Sequence, residues 1–256
     1  MADAGQPTLL SLEGGVATIT LNRPKERNSI STSMLNSFCD QLKACMADDA
    51  VRVVVLTNAG NTFCAGANLK GGGEAPRYSF VDLLNTMRDG PKVVVGKING
   101  HCAGGGFGIA ATCDISVISD KAQLGFTEVR IGVAPAMISV VCLPKLRRGE
   151  AAEFMLTGEK ISAARATQAG LLNYCVPPEE LEAKVAHIVG MLLRGGPKAL
   201  AATKSLLYRV PTMSTADAFK WTEELSLGLF QSEEAQAGIA AMMQKVDAPW
   251  VPKSKL

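Results

Sequence analysis

The chain of 256 residues is 47% hydrophobic and 20% charged, and its 26 Lys and Arg against 24 Asp and Glu give a formal net charge of +2. This length fits one large domain, or a main domain with a small appendage. A charge so close to zero argues against a nucleic-acid partner, because such a surface needs clustered Lys and Arg. The longest apolar runs, such as Ile138–Leu143, are far shorter than the ~20 residues that cross a bilayer. We therefore expect no membrane partner either.

The N-terminus and the cysteines indicate the compartment. The first residues, Met1–Pro7, do not contain the basic and apolar segments of a secretory signal. The seven cysteines are odd in number, form no C-x-x-C pair and lie mostly in apolar stretches, which is typical of buried free thiols in a reducing compartment. We therefore expect a cytoplasmic protein. The alternative is a peroxisomal one, because the chain ends in Ser254-Lys255-Leu256, a peroxisomal address in eukaryotes.

In chain order, the first part alternates strands and helices. Thr8–Leu12 and Val16–Leu21 lie on either side of two glycines, which predicts a β-hairpin. From Ser31 to Met46 apolar residues recur every three to four positions, which predicts a helix of about four turns. The short apolar runs Arg52–Leu56 and Val93–Ile98 predict buried strands.

After about residue 145 the strand signals nearly vanish. Ser162 is placed to cap a helix that stops at Gly170. Helical periodicity then fills three further stretches: Glu179–Leu193, Pro197–Tyr208 and Thr215–Met243. We therefore predict an α/β body in residues 1–195 and an all-helical C-terminal region in residues 196–256. Since no low-complexity linker separates them, we expect the helical region to pack on the body or on a neighbouring subunit.

Several reaction classes lack their motifs in this sequence. The two histidines, His101 and His187, have no second ligand at metal-binding spacing, so we expect no metal and interpret both as structural. The G-x-S-x-G turn of one class of serine hydrolases is absent, and so is the G-x-x-x-x-G-K-[ST] phosphate loop. The chemistry must therefore come from other residues.

The strongest local feature is a glycine cluster after the second predicted buried strand. Asn99-Gly100 is followed by Gly104-Gly105-Gly106, and the spacing differs from the G-x-G-x-x-G pattern of dinucleotide-binding proteins. One interpretation is close helix–strand packing in a tight turn. The other is that the glycines expose backbone N–H groups at the positive end of a helix, where they suit an oxyanion. A second segment of small residues, Phe63–Lys70, also follows a strand, so each segment can supply one N–H to the same oxygen.

These segments and several others stand in the order and spacing of the crotonase family, which the sequence resembles over nearly its whole length. The motifs are Asn22-Arg23-Pro24, Phe63–Lys70, Asn99-Gly100 with Gly104-Gly105-Gly106, Cys113-Asp114-Ile115, Lys121–Gly125, Glu128, Leu156–Ser162 and Ala169-Gly170-Leu171. The resemblance implies an α/β fold in which repeated ββα units form a spiral, here residues 1–195, and a C-terminal helical region that builds homotrimers or hexamers. It also implies an acyl-CoA thioester as substrate, with no separate cofactor because CoA is part of the substrate.

The resemblance also implies the residues of the site. The two N–H donors of the family's oxyanion hole correspond to Ala67 and Gly105, and they stabilise the negative charge on the thioester oxygen as an enolate forms. The residues implied to line the CoA passage are Ala65, Gly66, Ala67, Asn68, Leu69, Lys70, Gly104 and Gly105. Lys25 or Arg27 is implied to meet the CoA phosphates.

The acid–base residues depart from the family pattern. Hydratases of the family usually carry two glutamates, at the positions of Gly108 and Glu128, and this sequence keeps only the second. The apolar neighbours of Glu128 are expected to raise its pKa by desolvation. Two carboxylates suit hydration, whereas one suits a proton shuttle between the α- and γ-carbons, which is isomerisation. Glu74 and Asp120 are candidates for the missing carboxylate.

Two further comparisons with the family bear on the reaction. Residues 131–139 look like hydratases of branched or unsaturated acyl-CoAs, including the methylglutaconyl-type branch. Dienoyl isomerases and hydroxyisobutyryl hydrolases add an acid about eight residues after the retained glutamate, where Ala136 stands here and cannot ionise. We therefore predict an enoyl-CoA hydratase of fatty acid or branched acyl-CoA degradation, with Glu128 as the catalytic carboxylate. The alternatives are a Δ3-Δ2 enoyl-CoA isomerase, another crotonase-type thioester reaction, or a non-catalytic acyl-CoA binder.

Overall fold

The computed structural model describes residues 5–69 and 75–252. Its strands are β1 (Thr8–Glu13), β2 (Val16–Leu21), β3 (Val53–Asn58), β4 (Thr62–Cys64), β5 (Val93–Ile98), β6 (His101–Ala103), β7 (Ile115–Ser119), β8 (Gln123–Gly125), β9 (Ile161–Ser162) and β10 (Tyr174–Val176). Its α-helices are α1 (Thr32–Ala47), α2 (Phe80–Asp89), α3 (Gly105–Thr112), α4 (Ala136–Cys142), α5 (Arg148–Thr157), α6 (Ala163–Gln168), α7 (Leu181–Leu193), α8 (Pro197–Arg209), α9 (Thr215–Phe230) and α10 (Glu233–Gln244).

The predicted hairpin is present at the start of the chain. β1 pairs antiparallel with β2, and Glu13 lies opposite Val16, so the two glycines between them form the turn. Gly14 and Gly15 have φ angles of +56° and +83°. Two-residue hairpin turns require this left-handed conformation, which glycine adopts without strain. The hairpin prediction is therefore confirmed.

The chain alternates between two sheets. The larger sheet has the order β1-β2-β3-β5-β7-β10, and the smaller one has the order β4-β6-β8-β9. Three strands of the larger sheet, β3, β5 and β7, are each followed by a strand of the smaller sheet: β4, β6 and β8. The helix that comes next along the chain is α2, α3 and α4, respectively. Neighbours in the larger sheet from β2 onward run parallel, as strands joined by long crossovers can. The predicted fold of repeated ββα units with a helical C-terminal region is confirmed.

The larger sheet separates two hydrophobic cores. Successive side chains of a strand point to opposite faces. Val54 and Leu56 of β3 therefore belong to the core that contains residues of α1, α2 and α3, whereas Val53 and Val55 belong to the core formed with α7. Every residue of β3 is buried, as expected for a sheet covered on both faces.

The helix α3 lies inside the larger core. All of its residues except Gly105 are buried. At Gly106, a Cβ would collide with the backbone carbonyl of Cys64, so the helix begins in direct backbone contact with β4. This close approach brings the first N–H groups of α3 to the loop that follows β4, and it is the arrangement on which the site depends.

Serine caps mark several helix starts where the sequence predicts them. The Ser31 hydroxyl accepts a hydrogen bond from the Met34 N–H at the start of α1, and the Ser162 hydroxyl accepts one from Arg165 at the start of α6. α6 ends just before Gly170, which has a φ of +91°. All seven cysteines are free and six are buried, as predicted.

Two features of the second half differ from the prediction. Two short strands, β9 and β10, follow residue 145, and β10 extends the larger sheet beside β7. At two and three residues they are too short to produce a periodic pattern. The predicted helical stretch Thr215–Met243 is divided into α9 and α10, because the Ser232 hydroxyl accepts the Ala235 N–H and so begins a new helix.

A buried ion pair attaches α8 to the body. Lys204 Nζ lies 2.8 Å from Asp114 Oδ2, and the two side chains are 4% and 7% exposed. The same ammonium donates to the carbonyls of Met87 and Lys92, at 2.6 and 2.8 Å. These additional hydrogen bonds offset the cost of removing both charges from water. Part of the helical region therefore packs on the body, whereas the boundary between residues 195 and 196 remains a prediction.

Among residues 5–69 and 75–252, no helix has both the length and the apolar character needed to cross a membrane. The terminal Ser254-Lys255-Leu256, on which the peroxisomal alternative depends, lies outside the described residues. Lys70 and Glu74, a predicted CoA-binding residue and a candidate carboxylate, also lie outside them.

Candidate active site

The loop after β4 presents the backbone N–H of Ala67. Ile30 forms an isolated parallel bridge with Ala67, in which the Ile30 N–H donates to the Gly66 carbonyl at 2.8 Å and the Asn68 N–H donates to the Ile30 carbonyl at 3.3 Å. Neither bond uses the Ala67 N–H, and within the described part of the chain no other acceptor is bonded to it. Ala67 is exposed, so this donor is accessible.

Gly105 supplies the second predicted donor at the start of α3. The first four N–H groups of a helix have no acceptor within it, and Gly105 is the first residue of α3. A Cβ on Gly66 would lie 2.9 Å from the Ala103 carbonyl oxygen and 3.4 Å from the Gly105 nitrogen. The loop that carries Ala67 and the start of α3 are therefore in contact. The structure brings the two predicted donors into one region.

Glu128 lies beside the start of the same helix. It belongs to a short 3₁₀ helix, Thr127–Ile131, that follows β8. A Cβ on Gly104 would lie 3.1 Å from Glu128 Oε1, so the carboxyl group packs directly on the backbone of Gly104. The ring of Phe126 stacks on that of Phe107 of α3, with centroids 4.7 Å apart. This contact holds the 3₁₀ helix, and with it the carboxyl group, against α3.

The surroundings of Glu128 favour the protonated carboxyl group. Burial raises its pKa above the ordinary value, because a charged group loses hydration in an apolar environment. One oxygen, Oε2, is buried and has no hydrogen-bond partner among the described residues. The expected direction of the pKa shift is thus confirmed. A carboxyl group with a raised pKa is suited to both accepting and donating a proton near neutral pH.

The predicted CoA-binding residues lie around the Ala67 loop. Lys25 and Arg27 are exposed in the turn after β2, and the Arg27 carbonyl accepts the Ala65 N–H at 3.0 Å. Leu69 is 76% exposed at the other end of the loop. The turn that carries the two basic residues therefore contacts the loop, although a helix and two strands separate them in the sequence.

The comparison with known families decides the identity of this arrangement. Residues 11–253 match the sequence profile of a family described as enoyl-CoA hydratase/isomerase. The chain belongs to the enoyl-CoA hydratase/isomerase family. The match extends over nearly the whole length and includes the Ala67 loop, the glycine cluster and Glu128. It confirms the resemblance to the crotonase family that the motifs indicate.

Individual members of the family are similar over their full lengths. A Thermus thermophilus protein that carries the enoyl-CoA hydratase name is 32% identical over 243 residues, which are 91% of this chain and 96% of that protein. The mevalonyl-coenzyme A hydratase of Aspergillus fumigatus is 31% identical over 255 residues, 94% of this chain and 93% of its own. The crystal structure of an enoyl-CoA hydratase from Mycobacterium smegmatis superposes with a TM-score of 0.88 at 27% identity, covering 95% of this chain and 98% of that chain.

The structure explains why this family member has glycine at position 108. Gly108 lies one helical turn after Gly104 on α3. A Cβ at Gly108 would lie 2.8 Å from Ile138 Cβ and closer still to Ile138 Cγ2. With α4 in this position no side chain fits at 108, so Ile138 occupies the space in which the family resemblance places a second glutamate. Sequence reasoning did not identify Ile138, because it lies 30 residues away on a different helix.

Asp120, the candidate carboxylate that lies among the described residues, does not join Glu128. Asp120 follows β7 in the larger sheet, where its backbone N–H donates to Val176 and its carboxylate lies 3.5 Å from Lys121 Nζ. Among the described residues, none of its hydrogen bonds or ion pairs involves Glu128. His101 has a structural contact, since its Nδ1 accepts the Gln123 N–H at 3.0 Å. No group of three or more potential metal ligands occurs in the described part of the chain.

A further residue that sequence reasoning missed supports the Ala67 loop. Asn28 is fully buried, and its side-chain amide donates to the carbonyls of Ala59 and Thr62 at 3.0 and 2.7 Å. Its side-chain oxygen accepts the Arg23 N–H at 2.7 Å. The φ of Asn28 is +50°, a conformation that asparagine tolerates better than most residues. The available signal was an asparagine between the predicted hairpin and the predicted helix, close to Asn22-Arg23-Pro24.

An apolar surface lies next to the Gly105 donor. The sequence alone did not predict it. A Cβ on Gly105 would lie 2.9 Å from Ile30 Cδ1 and 3.4 Å from Phe80 Cζ. Ile30 and Phe80 are half-buried and pack against the larger core. Apolar surroundings strengthen hydrogen bonds from nearby donors, because the local dielectric constant is lower than that of water.

Proposed function

We propose that the protein is an enoyl-CoA hydratase, which adds water across the 2,3-double bond of an enoyl-CoA thioester. The observation that carries the proposal is the position of the Glu128 carboxyl group on Gly104, next to the unpaired N–H of Gly105 and the loop of Ala67. The relatives named as hydratases, at about 30% identity over nearly the whole chain, support the same reaction.

In this proposal the two backbone donors bind the thioester oxygen. When the double bond is attacked at its β-carbon, the electrons move to the carbonyl oxygen and an enolate forms. The N–H groups of Ala67 and Gly105 stabilise that charge because they are already oriented before the reaction begins. Donors of this kind are typically worth about 10²–10³ in rate each.

Glu128 transfers the proton in both halves of the reaction. Its carboxylate accepts one proton from water as the water oxygen bonds to the β-carbon. The resulting carboxylic acid then donates that proton to the α-carbon, the enolate returns to a thioester, and Glu128 is a carboxylate again. One carboxyl group therefore suffices for the balance of atoms. Because one group on one side of the substrate does both, OH and H are added to the same face.

A second candidate function is isomerisation of a 3-enoyl-CoA to the 2-enoyl-CoA. The packing of Ile138 on Gly108 favours it, since it leaves no space for a carboxyl group at position 108. Isomerisation needs one group to carry a proton between the α- and γ-carbons and needs no water. Another crotonase-type thioester reaction and a non-catalytic acyl-CoA binder remain as alternatives.

A paired assay with crotonyl-CoA tests the proposal. We expect the absorbance of the conjugated thioester to fall with the wild-type protein, and Glu128→Gln to lower kcat about 10²–10⁴-fold because the proton carrier is lost. The rate should also fall as the pH drops through the raised pKa of Glu128, since protonation removes the acceptor. Glu159→Gln is the matched control, because Glu159 is exposed. The kcat of this variant should equal that of the wild-type protein.

Other outcomes would assign the protein differently. If crotonyl-CoA absorbance stays constant while a 3-enoyl-CoA gains conjugation, the protein is an isomerase and the hydratase proposal is wrong. If both substrates remain unchanged but acyl-CoA binds in calorimetry, the non-catalytic alternative replaces it.

We also propose that the protein assembles as a homotrimer, or as a hexamer of two trimers, through its C-terminal helices. None of the residues of α9 is buried, and Phe219, Leu227 and Phe230 are 73%, 58% and 66% exposed. A cavity of about 810 Å³ on this face is lined by Leu206, Phe219, Thr222, Glu223, Leu225, Ser226, Leu229, Phe230 and Ala235. A second copy of the chain would cover this apolar surface.

For the compartment we propose the cytoplasm, with the peroxisome as the alternative. For the pathway we propose the degradation of fatty or branched acyl-CoAs.

A further inference from the structure

Two side chains cover one face of α3. Gly104 and Gly108 are four residues apart, so they lie on the same side of the helix one turn apart. Glu128 packs on Gly104, and Ile138 packs on Gly108. The carboxyl group and the isoleucine therefore lie along the same strip of backbone.

Ile138 is held rigidly in this position. It is 3% exposed and belongs to the larger core. Its Cγ2 is the atom that lies over Gly108, and a β-branched side chain in a helix has one strongly preferred χ1 rotamer. The space over Gly108, one helical turn from the carboxyl group on Gly104, is thus filled by a methyl group that has little freedom to move.

The buried oxygen of Glu128, Oε2, has no hydrogen-bond partner among the described residues. A carboxylate oxygen in that state is costly, because it has given up its water without a replacement. Neighbouring charges are not among the causes of the raised pKa of Glu128, which burial accounts for.

The titratable groups around Glu128 in the described part of the chain leave its carboxyl group without a charged partner. They are Cys142 of α4, Lys145 after α4, Glu150 and Glu153 of α5, and Arg130 of its own 3₁₀ helix; α3 contains none. Burial raises the pKa of the Cys142 thiol to about 12, so it is neutral. Lys145 donates to the Ala111 carbonyl, and the two glutamates pair with Arg165. Arg130 is exposed.

We infer that Ile138 is a positioning residue for Glu128: by filling the space over Gly108 it excludes water and any second polar side chain from Oε2. This leaves one carboxyl group to move the proton. The inference rests on the proposed role of Glu128, and its test therefore includes a measurement that does not require turnover.

Variants at Ile138 separate space filling from other effects. Ile138→Ala removes Cγ2 and opens a cavity over Gly108, one helical turn from Gly104, on which the Glu128 carboxyl group packs. Water can enter this cavity because the carboxylate supplies a hydrogen-bonding partner. Ile138→Val keeps the branch at Cβ and should still exclude water from Oε2. Ile188→Ala is the matched control, since Ile188 is 1% exposed in the other core, on α7.

The decisive measurement is a ¹³C NMR titration of the whole protein labelled at the glutamate carboxyl carbons. The Glu128 signal is identified by its loss in Glu128→Gln. We expect Ile138→Ala to lower the titration midpoint of Glu128 by about one pH unit, a tenfold change in proton affinity. Ile138→Val and Ile188→Ala should leave the midpoint at its wild-type value. The acid limb of the pH–rate profile for crotonyl-CoA should shift in the same direction in Ile138→Ala.

Packing on Gly108 is tested by a double-mutant cycle. Gly108→Ala should lower the melting temperature in the wild-type background and lower it less in the Ile138→Ala background, because the closest contact of the new methyl group, with Ile138 Cγ2, is then removed. If Ile138→Ala does not fold, Ile138→Thr replaces it in the titration. Threonine has the shape of valine, with a hydroxyl in place of one methyl group. This hydroxyl can donate a hydrogen bond to Oε2, so the titration midpoint of Glu128 should fall.

The outcomes distinguish this inference from the proposed function. An unchanged midpoint in the folded Ile138 variant, or an equal shift in Ile188→Ala, would overturn the positioning role even if the protein hydrates crotonyl-CoA. A lowered midpoint in a protein that hydrates nothing would support the positioning role and reject the hydratase proposal.

Discussion

At Gly66 a single backbone conformation determines where the Ala67 donor lies. Gly66 has a φ of +87°, and a Cβ there would lie 2.9 Å from the Ala103 carbonyl oxygen. Any other residue at this position would be strained, both by the left-handed conformation and by the contact. The consequence is a small-residue loop that lies in close contact with the start of α3, where Gly105 begins the helix.

Gly66→Ala tests this dependence of the site on one residue. We expect a loss of stability of about 1–2 kcal/mol from the left-handed conformation. We also expect kcat/KM for crotonyl-CoA to fall about 10²-fold, the size of losing one oxyanion donor. Gly14→Ala is the control, because Gly14 has a φ of +56° with nothing within 4 Å of a Cβ. It should lose similar stability and keep its activity; equal kcat/KM in the two variants would contradict the role of Gly66.

The connection between elements is clearest at α8, which is attached to the body through charge rather than through a large apolar face. Lys204 is its buried residue. It reaches Asp114, which precedes β7, and the carbonyls of Met87 in α2 and of Lys92 before β5. Asp114 is also bonded by the Val94 N–H and the Tyr208 hydroxyl, at 2.8 and 3.1 Å. The family motif Cys113-Asp114-Ile115 thus has a structural explanation, since Asp114 joins β5, β7 and α8.

Lys204→Met should be strongly destabilising, because it leaves the buried Asp114 carboxylate without its counter-charge. We expect a loss of about 3–5 kcal/mol in the free energy of unfolding, measured by urea titration at fixed protein concentration. Lys97→Met is the control, since Lys97 pairs with Glu182, whose side chain is 76% exposed, and such pairs contribute about 0–1 kcal/mol. Similar losses in both variants would show that the buried pair has no special weight.

For the whole molecule, the distribution of buried residues is uneven. The two sheets and α1 to α3 enclose the larger core, whereas α9 contains no buried residue and α10 contains one, Ala241. Exposed apolar patches of this kind are typical of surfaces that bind another protein. The proposed trimer would give these helices the core that one chain lacks.

Phe219→Glu combined with Phe230→Glu tests the proposed assembly. Light scattering after size exclusion should give a mass of three or six chains of 26.9 kDa for the wild-type protein. The variant should give a single chain, because two carboxylates would be buried at the contact. Leu12→Glu is the control, since Leu12 is 59% exposed on β1. A wild-type protein that elutes as a single chain would refute the assembly.

Much of the fold and part of the site were predictable from local sequence. The hairpin follows from Gly14 and Gly15, α1 follows from its apolar period and Ser31, and α6 follows from Ser162. For these elements the cause lies within a few residues along the chain, in turn conformation, capping or side-chain period, so a single sequence contains it. Ala67, Gly105 and Glu128 were implied as one site by the resemblance to the crotonase family that the motifs carry.

The remaining features depend on contacts between distant parts of the chain. The position of Ile138 over Gly108, the ion pair of Lys204 with Asp114 and the pairing of β10 with β7 join residues that are far apart in sequence. No local pattern distinguishes Ile138 from any other apolar residue of α4. The sequence by itself therefore determined the hairpin, α1, α6, the family and the three catalytic candidates. Only the tertiary structure decided which side chain fills the space beside Glu128, because that depends on how helices pack in three dimensions.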